Sequence, residues 1–466
     1  MLVTREVAPG QTNSHGALWR QIPVLTQAGA WQQLLRNSEL PVNQDASTHH
    51  RVAPKLAALA VLLVATLVMY VSQGLTHTLV PLRLASGSVS GLVTSCYFVG
   101  FGLGAFLGPL LIRRVGHIRA FGGLLGIVIF AVLSLALVDA LWFWAMIRLL
   151  HGASIAATAV VVEAWLVSAS GPEARGRVLA VYTLAVYGGI GLGPLVLTFY
   201  PDTLWQPLSV AAIALCLAAV PVLFWRTDAP PISPLAPANW RRIMSVSPVS
   251  LATSTAAGVS GGALAALAPI YAVSLGLDTS GVALMMSVPV ILGVMLQSLV
   301  GMLSDRYERR RVMSGALLIS AGCAFLLLWG QSLGLIAIYG LLAGLQGVLY
   351  ALYPLALAHA NDRVGTPTDT ADIGAGLLLG YGIGAAAGPA IAGGVALAMG
   401  PSSGFLVAVV ALALTGSYIL LDIHRHARVA LVDKGAYTNL PSSTPKVFAL
   451  EPRTVPDPEI PAELET

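Results

Sequence analysis

Twelve apolar runs follow one another between Leu56 and Leu421, separated by Gly, Pro and charge. Each is long enough to cross a hydrocarbon core about 30 Å thick at 1.5 Å per residue. The spans read as 56–82, 89–112, 120–138, 141–168, 174–200, 205–225, 248–275, 281–303, 312–330, 333–360, 371–398 and 402–422. Only 10% of the residues are charged, against roughly a quarter in a soluble domain, which excludes a water-soluble globular fold. The net charge of +4 does not mark a nucleic-acid protein, because the basic residues are scattered over short loops and form no groove-sized patch. Cys96, Cys216 and Cys323 lie in separate apolar stretches with no CxxC spacing. They read as buried structural thiols, with neither a disulfide framework nor a metal site.

The runs fall into two sets of six. Residues 1–54 form a polar tail without the n-region, h-region and cleavage site of a signal peptide, and 55–225 hold the first six helices. Residues 226–247 are a linker with Pro230, Pro231, Pro234 and Pro237, which forms no regular helix. The second six helices occupy 248–423, and 424–466 are a Pro- and Glu-rich tail of disordered composition.

Lys and Arg near helix ends are retained on the cytoplasmic side. Loops after even-numbered helices hold Arg113, Arg114, Arg119, Arg175, Arg177, Arg226, Arg241, Arg242, Arg306, Arg309, Arg310, Arg311 and Arg363, and the opposite face holds only Arg83. This asymmetry predicts a multi-pass membrane protein with both termini in the cytoplasm.

The two sets also repeat. Gly108 with Arg113 and Arg114 corresponds to Gly301 with Asp305 and Arg306, His151-Gly152 to Gln346-Gly347, and Gly193-Pro194 to Gly388-Pro389. The shared offset of nearly 195 residues argues for two parallel halves related by an axis along the membrane normal.

These residues carry a resemblance. Gly301-Met-Leu-Ser-Asp305-Arg306-Tyr-Glu-Arg309-Arg310 resembles the cytoplasmic signature of the major facilitator superfamily, Arg148-Leu-Leu-His-Gly152 its fourth-helix motif, and Gly189-x-x-x-Gly193-Pro194 the fifth-helix motif of its antiporters. Arg113-Arg114-Val-Gly116-His117-Ile-Arg119, Glu163-Ala-Trp165-Leu and Arg175-Gly176-Arg177 are similar to the YcaD-like branch. The resemblance covers roughly residues 55 to 425 and implies an all-α protein of the bacterial inner membrane, with twelve transmembrane helices in two pseudo-symmetric halves. Two positions depart from the pattern: Ile112 stands where the first-half signature has Asp, and Glu308 replaces the internal Gly of the second.

Three groups of residues are candidates for function. At the inner end of the eighth helix, Asp305 with Arg306, Arg309 and Arg310 makes a charged turn that could latch the halves. Gly301, and in the first half Gly108, would permit close helix approach. A partner for Asp305 is the positive N-terminal end of the fifth helix, where Ser170, Pro172 and Glu173 look like a capped start, with Pro367, Asp369 and Asp372 as the parallel start of the eleventh. The alternative is that the arginines only set topology.

The fourth helix holds Arg148, His151 and Glu163 at membrane depth, where ionised groups are costly and face a cavity or a partner. Arg148 lies roughly 9 Å to one side of Ser154 and Glu163 roughly 13 Å to the other, only about 60° apart in projection. Arg148 is expected to bind an anionic group, bias a proton site or bond backbone carbonyls. Glu163 either pairs with the Arg175–Arg177 loop or carries a proton, and His151 either titrates or packs. His77 and His359 are weaker candidates of the same kind.

Gln73, Gln297 and Gln346 face a central cavity or bridge helices, since an unsatisfied amide in hydrocarbon is unfavourable. Tyr70, Tyr97, Tyr350, Tyr353 and Trp165 could line the same amphipathic site or merely pack. Gly189, Gly193, Pro194, Gly384, Gly388 and Pro389 are candidate hinges, or tight static packing.

The sequence therefore predicts a secondary active transporter that alternates around a midplane site. Export of a small solute in exchange for protons is favoured over uptake on the antiporter-like fifth-helix motif. No GxxxxGK[ST] loop implies ATP, and no cofactor or metal is expected. The expected partners are the solute, protons and the bilayer, with the chain a monomer. A membrane enzyme is the second reading, but isolated Glu163 and His151 make no catalytic set; a receptor or channel is the third.

Overall fold

A computed structural model describes residues 44–84, 87–170, 174–201, 203, 205–224, 240–363 and 367–425, with backbone alone for 44–58, 240–242 and 367–372. Both predicted tails, most of the Pro-rich linker, and the caps at Pro172, Glu173, Asp369 and Asp372 lie outside the described residues or side chains. Among the described residues there is no strand, as expected where every backbone polar group must be satisfied within its own segment.

Twelve helices are long and apolar enough to cross a membrane. They are α1 Leu59–Leu84, α2 Gly87–Val115, α3 His117–Leu137, α4 Leu141–Ala169, α5 Arg175–Phe199 and α6 Trp205–Phe224, then α7 Pro248–Ser274, α8 Thr279–Arg306, α9 Arg309–Leu327, α10 Leu335–Asn361, α11 Ile373–Met399 and α12 Pro401–Arg425. A short helix, Trp240–Val246, leads into α7. One apolar core is drawn almost wholly from α1–α6 and a second from α7–α12.

The two halves repeat the same helix contacts. In the first, Gly189 and Gly193 of α5 lie against the Leu67 and Val71 carbonyls of α1. In the second, Gly384 and Gly388 of α11 lie against the Thr255 and Val259 carbonyls of α7. The reverse contact repeats too, Gly74 on the Ile190 carbonyl and Gly262 on that of Ala385. A Cβ at any of these glycines would run into backbone. The dipeptide offset seen in the sequence is therefore a real structural repeat, and its physical basis is helix approach at backbone distance.

The repeat is imperfect at the prolines. The α-helical part of α5 ends at Leu192, and Gly193–Phe199 continues as 3-10 helix. The helix Pro367–Met399 remains α-helical through Pro389.

Span limits agree with the sequence reading to within about three residues throughout. At the arginine-rich turn α8 runs on to Arg306 and α9 begins at Arg309, and Arg309 and Arg310 are buried in ion pairs and do not sit in a solvated loop. The thiols also differ from expectation: Cys216 is exposed, and Cys96 and Cys323 are half-buried. The outer face of such a bundle is solvated by hydrocarbon, where a thiol needs no protein cover.

Candidate functional site

A cavity of about 180 Å³ lies between the halves. The first half lines it with Tyr70, Gln73 and His77 of α1, Tyr97, Phe98 and Phe101 of α2, and Tyr187 and Ile190 of α5. The second contributes Leu264 and Pro269 of α7, Met286 and Val290 of α8, Gln346 and Tyr350 of α10, and Tyr381 of α11. A further cavity of about 290 Å³ lies at the Arg83 end of α1, α5, α7 and α8, lined by Leu79, Arg83, Leu197, Tyr200, Val273, Asp278 and Val282. The two stack along the same four helices.

Contacts between the halves bound the central cavity in both directions. Toward the arginine-rich end, Tyr187 of α5 stacks on Tyr350 of α10 with ring centroids 4.0 Å apart. Beyond that stack, Leu179 and Val167 of the first half join Tyr353, Leu357 and Leu377 of the second in one apolar cluster. Toward the other end, Gly91 of α2 lies against Pro389 and Gly393 of α11. Ser90 there donates to the Ala266 carbonyl at 3.0 Å, and Gly191 of α5 approaches Ile291 of α8.

Arg148 is 1% exposed and reaches from α4 to α1 and α2. Its Nη1 lies 3.2 Å from His151 Nδ1 and its Nη2 3.5 Å from His77 Nδ1. The guanidinium carbon stands 4.4 Å from the centre of the Tyr97 ring. Tyr97 in turn meets His77 edge-on at 4.5 Å and His151 at 5.8 Å. His77 thus belongs to the Arg148 group and to the cavity wall at once.

Glu163 turns to a different neighbour. It is fully buried and accepts a 2.7 Å hydrogen bond from the Tyr182 hydroxyl of α5, with Tyr70 of the cavity wall hydrogen-bonded to Tyr182. The partner seen here is thus a neutral phenol donor on α5. The axial separation of Arg148 and Glu163 keeps the two groups in separate clusters.

The remaining candidates divide. Gln73 and Gln346 line the cavity, and Gln346 Oε1 accepts from the Tyr350 hydroxyl at 2.6 Å. Gln297 bridges helices, its Nε2 donating to the Tyr350 carbonyl at 3.3 Å. Tyr353 is buried against Tyr381 outside the cavity lining, and Trp165 packs on His117. His359 shares its Nδ1 with the hydroxyls of Ser247 and Ser250 at 3.1 and 3.0 Å, a helix-bridging contact within the second half.

The charged turn has a different architecture from the one the sequence suggested. Arg309 Nε pairs with Asp362 at 3.1 Å, Arg310 Nη1 with Asp422 at 3.1 Å and Arg310 Nη2 with Glu308 at 2.9 Å. These pairs tie the α8–α9 turn to the ends of α10 and α12, all within one half. Asp305 is 42% exposed and lies 3.8 Å from Arg309. In the first half, Arg113 and Arg114 are exposed, Ile112 is buried, and the turn is made by Gly116 at φ 81°, a left-handed conformation glycine adopts without cost. Gly108 fits against Ala157 of α4. Among the described residues no three His, Cys, Asp or Glu side chains converge as metal ligands.

Twelve membrane-length helices in two repeats, closed around a cavity at their boundary, define a polytopic membrane transporter. The chain belongs to the major facilitator superfamily, whose profile it matches over residues 57–366 and 249–449, and to its YcaD-like branch. It is 32% identical over 358 residues to an MFS-type transporter of Enterobacter sp. (strain 638), covering 74% of this chain and 88% of the relative. It is 30% identical over 352 residues to the MFS-type transporter YcaD of Escherichia fergusonii, covering 72% and 87%. Among solved structures it is similar to the nucleoside transporter NupG, with a TM-score of 0.65 at 12% identity over 78% of this chain and 99% of that one. It is equally similar to an inward-facing bacterial homologue of the human lysosomal transporter Spinster, with a TM-score of 0.65 at 14% identity over 82% and 98%.

Proposed function

We infer that the protein is a secondary active transporter that moves a small organic solute by alternating access and couples the movement to protons through Glu163. The observation that carries this reading is the cavity between the halves, bounded on one side by the Tyr187–Tyr350 stack and on the other by the α2–α11 glycine contact. Opening one zone while the other stays shut delivers the cavity to one side of the membrane at a time. Glu163 suits the proton because it is a fully buried carboxylate held by a neutral donor. Through Tyr182 and Tyr70 it reaches the cavity wall, so a solute and a proton can sense each other.

The thirteen arginines support an orientation with the arginine-rich end and both termini in the cytoplasm of a bacterial inner membrane. The antiporter-like fifth-helix motif favours export in exchange for protons. Its glycines also seat α5 on α1, a task the equivalent glycines of α11 share. The chain is read as a monomer, complete with both halves around one cavity. The pairs of Arg309 and Arg310 brace the α8–α9 turn inside the second half, so closure between the halves at the arginine-rich end falls to the apolar cluster of Leu179, Tyr353, Leu357 and Leu377 and not to exposed Asp305.

The test is reconstitution of the full chain in liposomes with counterflow measured across a panel of neutral, cationic and anionic solutes, with and without a pH gradient. Gradient-dependent flux of at least one solute is expected. Glu163→Gln should abolish the response to the gradient and keep counterflow. Gradient-driven flux unchanged in Glu163→Gln overturns the assignment of the proton site.

A further inference from the structure

Arg148 is a fully buried cation to which no described carboxylate is paired. Its Nη1 and Nη2 face the Nδ1 atoms of His151 and His77, and a guanidinium can only donate. Both Nδ1 atoms therefore accept, which places the proton of each neutral ring on Nε2. The Arg148 Nε–H, the His151 Nε2–H and the Tyr97 hydroxyl are then left buried with no hydrogen-bond partner among the described residues. The Tyr97 ring face offsets part of the charge but supplies no acceptor to the guanidinium. The group is a surplus of donors around one positive charge, and two of its members, His77 and Tyr97, form cavity wall.

The structural repeat shows that the imbalance is confined to one side. The positions equivalent to His77 and Arg148 in the second half are Ala265 and Ala343. That half offers the cavity the tyrosine rings at 350 and 381 and the Leu264 side chain, with no charge.

We propose that the transported solute is an amphipathic organic carboxylate. Its anionic end seats against His77 and Tyr97 in the field of Arg148, and its apolar or aromatic body lies across the tyrosine-lined wall of the second half. This rests on the transport reading above and names the class of solute for the same cavity. An anion is the ligand that supplies both the missing charge and an acceptor for the Tyr97 hydroxyl on the cavity wall. A neutral solute would leave the guanidinium uncompensated, and a cation would be repelled by it.

Binding to the purified full chain in detergent, by calorimetry, decides the point with benzoate, 2-naphthoate and decanoate, each set against its own primary amide. At least one carboxylate should bind 10-fold or more tightly than its amide. Arg148→Gln should bring the ratio of carboxylate to amide affinity close to one, and Arg148→Lys should keep most of the preference. If none of the three carboxylates outbinds its amide on the wild-type protein, the proposal is overturned, whether or not the variants fold. A gradient-driven flux of a neutral or cationic solute with no carboxylate preference would leave the transporter reading standing and remove the anion. Tight carboxylate binding without counterflow of the bound compound would do the reverse.

Discussion

The Tyr182 hydroxyl donates a 2.7 Å hydrogen bond to Glu163 Oε1, joining α5 to α4 where both side chains are buried. A hydrogen bond to a charged group contributes roughly 1.5–3 kcal/mol. Tyr182→Phe should accordingly lower the melting temperature of the purified protein, and the same change on a Glu163→Leu background should add almost nothing. A double-mutant cycle measured by thermal unfolding in detergent checks this. Strictly additive losses would show that the tyrosine acts by packing alone.

The Tyr187–Tyr350 stack crosses the boundary between the halves. An aromatic pair of this kind is worth about 0.5–1.5 kcal/mol beyond its area, enough to bias two conformations of similar energy several-fold. Tyr350→Leu should increase the labelling rate of a cysteine placed at Leu357, within the apolar cluster behind the stack. No change in labelling would mean that the stack follows the closure and does not hold it.

Arg310 is buried between Glu308 and Asp422. Removing one partner of a buried pair typically costs 3–5 kcal/mol, because the other charge is left uncompensated. Arg310→Ala should therefore destabilise the protein by about that amount. Exposed Arg311, although it also meets Glu308, should tolerate alanine within about 0.5–1 kcal/mol. Thermal unfolding of the two variants side by side makes the comparison. Arg309→Ala, which would remove the 3.1 Å buried pair with Asp362, is expected to resemble Arg310→Ala.

Gly193 and Gly382 lie in equivalent membrane helices and have opposite surroundings. A Cβ at 193 would approach Leu75 N at 2.5 Å, whereas one at 382 would meet nothing within 4 Å. Gly193→Ala should abolish a monodisperse peak in size-exclusion chromatography. Gly382→Ala should be neutral or stabilising by roughly 0.5–1 kcal/mol, the helical preference of alanine over glycine.

Exchange of one proton inward for one monoanion outward moves two charges in the same electrical sense. Each is worth about 2.3 kcal/mol per 100 mV, so a potential negative on the arginine-rich side should accelerate carboxylate export beyond the effect of a pH gradient alone. Valinomycin-clamped liposomes of both polarities measure this. Export indifferent to potential would require two compensating charges to move in the same cycle.

Much of the architecture was legible because hydropathy and glycine spacing act locally. The twelve runs became twelve helices, and the offset between Gly193-Pro194 and Gly388-Pro389 marked a true repeat of contacts. Arg148, His151 and Glu163 stood out because charge at depth is rare. Their partners did not, since nothing in the chain announces that position 77 comes to rest beside 148, or 182 beside 163. Asp362 and Asp422 were missed for the opposite reason. An acid just beyond an apolar run reads as solvated charge, and only the assembled helix ends reveal that each is buried against an arginine. Asp305, singled out by its motif, is the acid of that turn left exposed.

The glycine seams that join α1 to α5 and α7 to α11 leave no side-chain cushion between the paired helices. A sheaf joined in this way cannot shear internally without backbone meeting backbone. In the transport cycle inferred above, a push delivered at the cavity wall would therefore be handed on to the six-helix body as a whole, as through a stiff lever. The stiffness of that lever resides in residues that have no side chain at all.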